Sequence, residues 1–249
     1  MHQFFVPREQ EGRDFITITG QDAHHIKNVL RMKPGEIVRV SSEGGQSYTC
    51  SILELGDGFV QLDILGDALQ TELSGRIYLF QALPKGSRME YIVQKAVELG
   101  VYEIIPVSMK YCVVKLDEKK SREKVKRWQA VAESAAKQSK RSQIPQVHPV
   151  LNYSDAVSYA MQCDRQFVPY ENERGMKATK EALEQIQAGE SISVMIGPEG
   201  GFAPEEIEAV RGRMQVISLG RRILRTDTAA VTAMSLLMMH LEMVQEISE

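Results

Sequence analysis

Val194-Met195-Ile196-Gly197-Pro198-Glu199-Gly200-Gly201-Phe202 decides the fold class. An apolar run stops at a loop of three glycines, one proline and one carboxylate. Ala203-Pro204-Glu205-Glu206 then opens a helix, with proline near its first position and acids in its first turn. A second loop of the same character follows, Leu219-Gly220-Arg221-Arg222-Ile223-Leu224-Arg225-Thr226-Asp227-Thr228. Each is the strand-to-loop-to-helix step of an α/β sheet, and open sheets of that class bind ligands beyond the carboxyl ends of their strands. Glycine lets the backbone approach a ligand closely. The acids at the helix start oppose a phosphate there, so the first loop suits a neutral or cationic small molecule. In the second loop Ile223, Leu224 and backbone amides suit an adenine, and the arginines suit a phosphate or an anionic substrate. That stretch also reads as a capping turn, with Thr226 or Asp227 starting the last helix.

Strand and helix alternate through the chain upstream of these loops. A strand over 77–83 leads through Pro84-Lys85-Gly86-Ser87 into a helix with Met89, Ile92, Val93, Ala96 and Val97 on one face, ended by Gly100. Further strands are predicted over 103–107, 166–170, 192–196 and 215–219. Helices are predicted over 118–140, 154–161, 177–187, 204–211 and 226–246, the first with Val125, Trp128, Val131, Ala132 and Ala135 inward. This is a parallel α/β domain over 73–249. Residues 1–72 read differently, as short strands at 15–19, 36–40, 47–55 and 59–65 with one short helix capped by Asp22 and facing inward through Ala23, Ile26, Val29 and Leu30. Such spacing indicates a small barrel or sandwich, joined by a polar linker over 66–75.

Composition is that of an ordinary globular chain, 43% hydrophobic and 25% charged. The net charge of −3 is unevenly spread: residues 119–141 hold nine Lys/Arg against two Glu, a local excess of +7. A basic segment on an acidic body points to a polyanion contact, although a solvated helix face has the same composition. Three cysteines without a close pair argue against a disulfide framework and fit a reducing, cytoplasmic setting. The start of the chain does not read as a signal peptide, and the apolar run at 229–239 is too short and too polar to span a membrane. The histidines show no metal spacing. P-loop, Gly-x-Gly-x-x-Gly and Gly-x-Ser-x-Gly motifs are all absent.

Taken together, the loops 196–202 and 219–230 resemble the SPOUT class of methyltransferases, and within it the RsmE family of 16S ribosomal RNA uridine-N3 methyltransferases. Four other stretches agree: His24-His25-Ile26-Lys27-Asn28-Val29-Leu30-Arg31, Lys85-Gly86-Ser87-Arg88-Met89-Glu90, Gln94-Lys95-Ala96-Val97-Glu98-Leu99-Gly100, and Glu133-Ser134-Ala135-Ala136-Lys137-Gln138-Ser139-Lys140-Arg141. The lysines at 137 and 140 depart from the family pattern in a way that is conservative for RNA binding.

The resemblance implies an α/β SPOUT-type parallel sheet with a C-terminal trefoil knot over about 194–228, preceded by a PUA-like RNA-binding β-barrel over 1–72. It implies S-adenosylmethionine as cofactor, no metal, and a site built from Leu83, Ile196, Gly197, Pro198, Glu199, Gly200, Gly201, Leu219, Gly220, Ile223, Leu224, Arg225 and Thr226. Arg8, His24, Arg31, Lys85, Arg88, Lys137, Lys140 and Arg141 are the implied RNA contacts. Arg225, Arg8 and Arg88 are candidates to stabilise a uridine anion, and Glu199 to take its proton. The implied partners are the small ribosomal subunit and a second copy of the chain, docked through the SPOUT domain. On the final helix, Ala229, Ala230, Ala233, Met234, Leu237 and Met238 could serve that dimer or pack within the domain. Two other readings stand beside this one: a SPOUT enzyme acting on a ribose 2′-oxygen or a guanine, and a ribosome-assembly module without catalysis.

Overall fold

Alternating side chains close the N-terminal strands over one apolar face. In the computed structural model, which describes residues 1–173 and 175–248, β1 (His2–Val6), β2 (Phe15–Thr19), β3 (Ile37–Ser42), β4 (Ser47–Leu55) and β5 (Phe59–Asp67) form a sheet of order β1-β3-β4-β5-β2. β1 runs parallel to β3 and the other pairs are antiparallel. Ile16, Ile18, Val38, Val40, Val60 and Leu62 point into a common core, and on β3 the intervening Arg39 and Ser41 are buried as well. β1 had no counterpart among the strands read from sequence.

The short helix differs from its sequence reading. α1 (Gly20–His24) begins at Thr19 without a side-chain cap, and Asp22 lies inside its first turn. It continues into a π-helical turn, His25–Val29, with the Leu30 amide bonded to the His25 carbonyl at 2.9 Å. The wider turn shifts the helical register, so Ile26 is buried while Val29, expected inward, is exposed. Arg31 follows with φ of 53°.

The chain divides into two compact units, and residues 136–144 belong with Met1–Glu72 rather than with the second unit. A buried polar cluster explains that placement. Arg141, only 3% exposed, donates from Nε to both oxygens of Glu72 at 2.9 Å and from Nη2 at 2.5 Å. Ser142 and Gln143 bond the same carboxylate, and Gln3 donates to the Arg141 carbonyl at 2.6 Å. The presumed linker is thus anchored at Glu72.

The second unit is a parallel sheet of β6 (Arg76–Ala82), β7 (Val101–Ser108), β8 (Gln146–Val147), β9 (Leu151–Asn152), β10 (Arg165–Pro169), β11 (Ser191–Ile196) and β12 (Gln215–Ile217). The order is β12-β10-β11-β6-β7-β8, with β9 also on β7. The helices are α2 (Arg88–Glu98), α3 (Glu118–Ser139), α4 (Tyr153–Ala160), α5 (Lys177–Leu183), α6 (Pro204–Val210) and α7 (Thr226–Ser248). The last turn of α3 belongs to the first unit. On α7, Ala230, Ala233, Met234 and Leu237 are buried within the unit, and α2 packs against this helix.

Two elements end earlier than the apolar pattern predicts. α5 stops at Leu183 because the Ile186 amide tightens onto the Leu183 carbonyl. β12 stops at Ile217 because the Ser218 amide donates to Thr179 Oγ1 at 3.0 Å instead of to a strand. That bond releases Leu219-Gly220 from the sheet. Strand order reverses between β6 and β11, since β7 continues the sheet on one side of β6 while β11 and β10 lie on the other. A parallel sheet opens a crevice at such a reversal.

Candidate functional site

A cavity of about 270 Å³ lies where β10, β11 and β12 give way to their loops. Ile196, Gly197, Pro198, Glu199 and Gly201 form one wall, and Leu219, Gly220, Ile223, Leu224, Arg225 and Thr226 another. Two expected residues stand back from it among the lining side chains. Leu83 is buried, its amide bonded to the Val107 carbonyl, and Gly200 packs against Tyr111, where an added Cβ would come within 3.0 Å. The structure adds Pro169, Tyr170, Glu171, Phe202, Arg222 and Ala229 to the lining. The segment after β10 carries no glycine motif, so only its position at a strand end could have signalled it.

Thr226 ties the two loops together. Its hydroxyl donates to the Gly197 carbonyl at 2.8 Å and accepts from Gln81 Nε2 at 3.0 Å. Both Thr226 and Gln81 are buried. Backbone geometry then fixes the glycines. Gly201 has φ of +72° and a Cβ there would meet Glu171 Oε1 at 2.6 Å; Gly220 has φ of +111°. Both conformations penalise any side chain.

The carboxylates near the first loop have separate tasks. Glu206 accepts from the Ala203 amide at 2.8 Å and the Lys110 amide at 2.8 Å, so it caps α6, and Glu205 pairs with the Lys110 ammonium. Glu199 accepts from the Lys85 amide at 2.9 Å and Arg88 Nη1 at 2.6 Å through one oxygen. Burial opposes its charge, but those hydrogen bonds outweigh burial and hold its carboxyl below the usual range. A carboxylate so stabilised is a weak proton acceptor and a good clamp. For the methyl transfer that the resemblance of the two loops implies, Glu199→Gln is therefore expected to weaken cofactor binding several-fold, after discounting for partial exposure, and to change the single-turnover rate at saturating substrates by less than about ten-fold. A loss beyond about a hundred-fold in that rate would instead make Glu199 the base.

Among the implied RNA contacts, Arg8, His24, Arg31 and Lys85 are exposed. Arg88 is engaged by Glu199. Lys137 pairs with Asp22 at 3.4 Å, and Lys140, with φ of 65°, donates to the Lys137 carbonyl at the end of α3. Burial lowers the Lys140 pKa, as does the nearby Arg39. Arg141 is withdrawn from solvent altogether by Glu72. The basic run thus ends in groups that hold residues 136–144 in place. No group of three or more His, Cys, Asp or Glu among the described residues is arranged for a metal ion. No helix among them is long and apolar enough to cross a membrane.

The family model for an RNA methyltransferase domain matches residues 71–238, and that for an RNA methyltransferase PUA domain matches 18–65. The chain is 33% identical to ribosomal RNA small subunit methyltransferase E of Bacillus subtilis, covering 94% of this chain and 95% of that one. It belongs to the ribosomal RNA small subunit methyltransferase E family. A member from Mycobacterium bovis is 31% identical, with 93% of this chain and 88% of that one covered. Among solved structures, the family enzyme of Neisseria gonorrhoeae bound to S-adenosyl methionine superposes with a TM-score of 0.79 at 28% identity, over 96% of this chain and 97% of that one. Family membership joins the parallel sheet and the PUA domain in one chain, as the sequence implied.

Proposed function

We propose that this chain uses S-adenosylmethionine to methylate N3 of a uridine in 16S ribosomal RNA. One observation carries the reading: two glycine loops, tied by the Thr226 hydroxyl, enclose a cavity at the carboxyl ends of β10, β11 and β12 in a methyltransferase-family sheet. The lining suits the cofactor. Gly197, Gly201 and Gly220 bring bare backbone to the cavity. Ile196, Leu219 and Leu224 offer an apolar slot for adenine, and the Glu171 carboxylate suits hydroxyl or ammonium donors. When bound, the cofactor supplies an electrophilic methyl group on a sulfonium. The protein's part is alignment, exclusion of water and charge placement.

Loss of the N3 proton makes the uridine nucleophilic and leaves an anion. Arg225, exposed at the cavity wall, is the residue proposed to stabilise it. Glu199 is proposed to clamp the first loop onto Lys85 and Arg88 rather than take the proton. N3 lies on the pairing edge, so the base must enter unpaired or flipped out. The exposed His24 and Arg31, which flank the π-helical turn, together with Lys85, are proposed to contact the RNA backbone, and Arg8 to contact the RNA. The proposal extends to a trefoil knot over about 194–228, a domain boundary near residue 72, a PUA-like barrel, a homodimer formed through the second unit, and a cytoplasmic location.

Calorimetry with S-adenosylhomocysteine separates an enzyme from a ribosome-assembly module. The enzyme binds it with a one-to-one stoichiometry per chain. No detectable heat at millimolar ligand would remove catalysis from the account.

A further inference from the structure

A second cavity, of about 480 Å³, lies in the first unit between the turn after β1 and the hairpin joining β3 to β4. It is lined by Arg8, Glu11, Gly12, Ser42, Gly44 and Gln46. One cation, one carboxylate, a hydroxyl and a primary amide face the same space. Their existing bonds leave specific atoms available. Glu11 accepts the Tyr48 hydroxyl on Oε1, which pushes that phenol up to about 12 and leaves Oε2 as an acceptor. Gln46 donates Nε2 to Asp67 at 3.0 Å, which leaves its carbonyl oxygen. Arg8 is exposed and makes no ion pair with the described residues. Ser42, although 3% exposed, borders the cavity and can both donate and accept.

This mixture selects against a phosphate, which would meet a carboxylate and an amide oxygen beside its one cation. It suits a neutral, planar group that carries N–H and C=O on one edge. Gly44 sharpens the point. A Cβ there would find nothing nearer than Ser42 Oγ at 3.7 Å, and its φ is not left-handed. The fold therefore does not demand glycine at 44, and its absence of a side chain leaves room in the cavity.

We infer that this cavity takes one unpaired nucleobase of the RNA substrate, outside the methylated uridine, and reads its hydrogen-bonding edge through Arg8, Ser42 and Gln46. The inference rests on the RNA-methyltransferase reading above. Its consequence is that the first unit contributes base recognition as well as backbone charge.

The test uses the full chain and a transcript of the small-subunit RNA segment that the wild type methylates, made in versions with one abasic position each. For the wild type, one abasic version outside the target uridine is expected to bind about five-fold more weakly, the size of one or two lost hydrogen bonds. Gly44→Val fills the cavity and is expected to weaken binding of the intact transcript by a similar factor. On that one abasic transcript the variant should lose nothing further, so the two effects do not add. Arg8→Met, on an exposed side chain, is expected to behave the same way. Equal S-adenosylhomocysteine affinity in wild type and variants shows that the enzyme is intact. Additive losses, or wild-type binding by Gly44→Val, overturn the inference. So does a Gly44→Val loss that no single abasic position reproduces. A wild type that binds no RNA and transfers no methyl group overturns the enzyme reading itself, and the inference with it.

Discussion

Thr226→Val is expected to weaken binding of S-adenosylhomocysteine by about 5–150-fold, the size of ~1–3 kcal/mol. The substitution conserves shape and removes only the hydroxyl. That hydroxyl donates to the Gly197 carbonyl and accepts from Gln81, with both side chains buried. Valine leaves the Gly197 carbonyl without this donor and the Gln81 amide without this acceptor. Gln81 Oε1 is already without a hydrogen-bond partner, so the second vacancy falls on a group with little slack. The two loops are then free to part, and the cavity between them loses its shape. Calorimetry measures the affinity, and a thermal melt of the ligand-free variant separates loop effects from global unfolding. Unchanged affinity would mean that the loops hold each other by packing alone.

Arg141→Met is expected to destabilise the first unit by about 3–5 kcal/mol, because it leaves a largely buried carboxylate without its cation. Arg141 bonds Glu72 at 2.5–2.9 Å, and the side chains are 3% and 22% exposed. Hydrogen exchange at the β3 and β4 amides reports on this unit. The pair also predicts acid sensitivity. Burial pushes the Glu72 carboxyl up, but Arg141 and the Ser142 and Gln143 donors pull it below its ordinary value. A depressed carboxyl contributes stability above its unfolded pKa of about 4.3 and loses it as pH falls through the lower folded value. The gap between wild type and Arg141→Met should therefore be full near pH 7 and shrink progressively below about pH 4. A gap that stays constant down to pH 2 would show that lost packing, not charge, causes it.

The parallel sheet was legible because it leaves period and punctuation in the sequence. Met89, Ile92, Val93, Ala96 and Val97 recur at helical spacing, and Gly100, with φ of +86°, ends that helix as expected. Both glycine loops were legible for the same reason, since Gly201 and Gly220 occupy conformations that exclude other residues. What lay outside local sequence depended on long-range pairing. Arg141 reads as one more cation of a basic run until Glu72, far away in sequence, is brought against it. Glu171 and Tyr170 join the cavity only because β10 sits beside β11 and β12. Val29 was misplaced because a π-helical turn changes the period on which the inward face was counted.

N3 methylation of a uridine in small-subunit RNA is the reaction proposed for this chain. Nucleoside analysis of 16S ribosomal RNA, from the source organism and from a strain lacking this chain, tests it most directly. N3-methyluridine is expected to disappear from the deletion strain and to return when the wild-type chain is supplied. N3-methyluridine at an unaltered level in the deletion strain would contradict it.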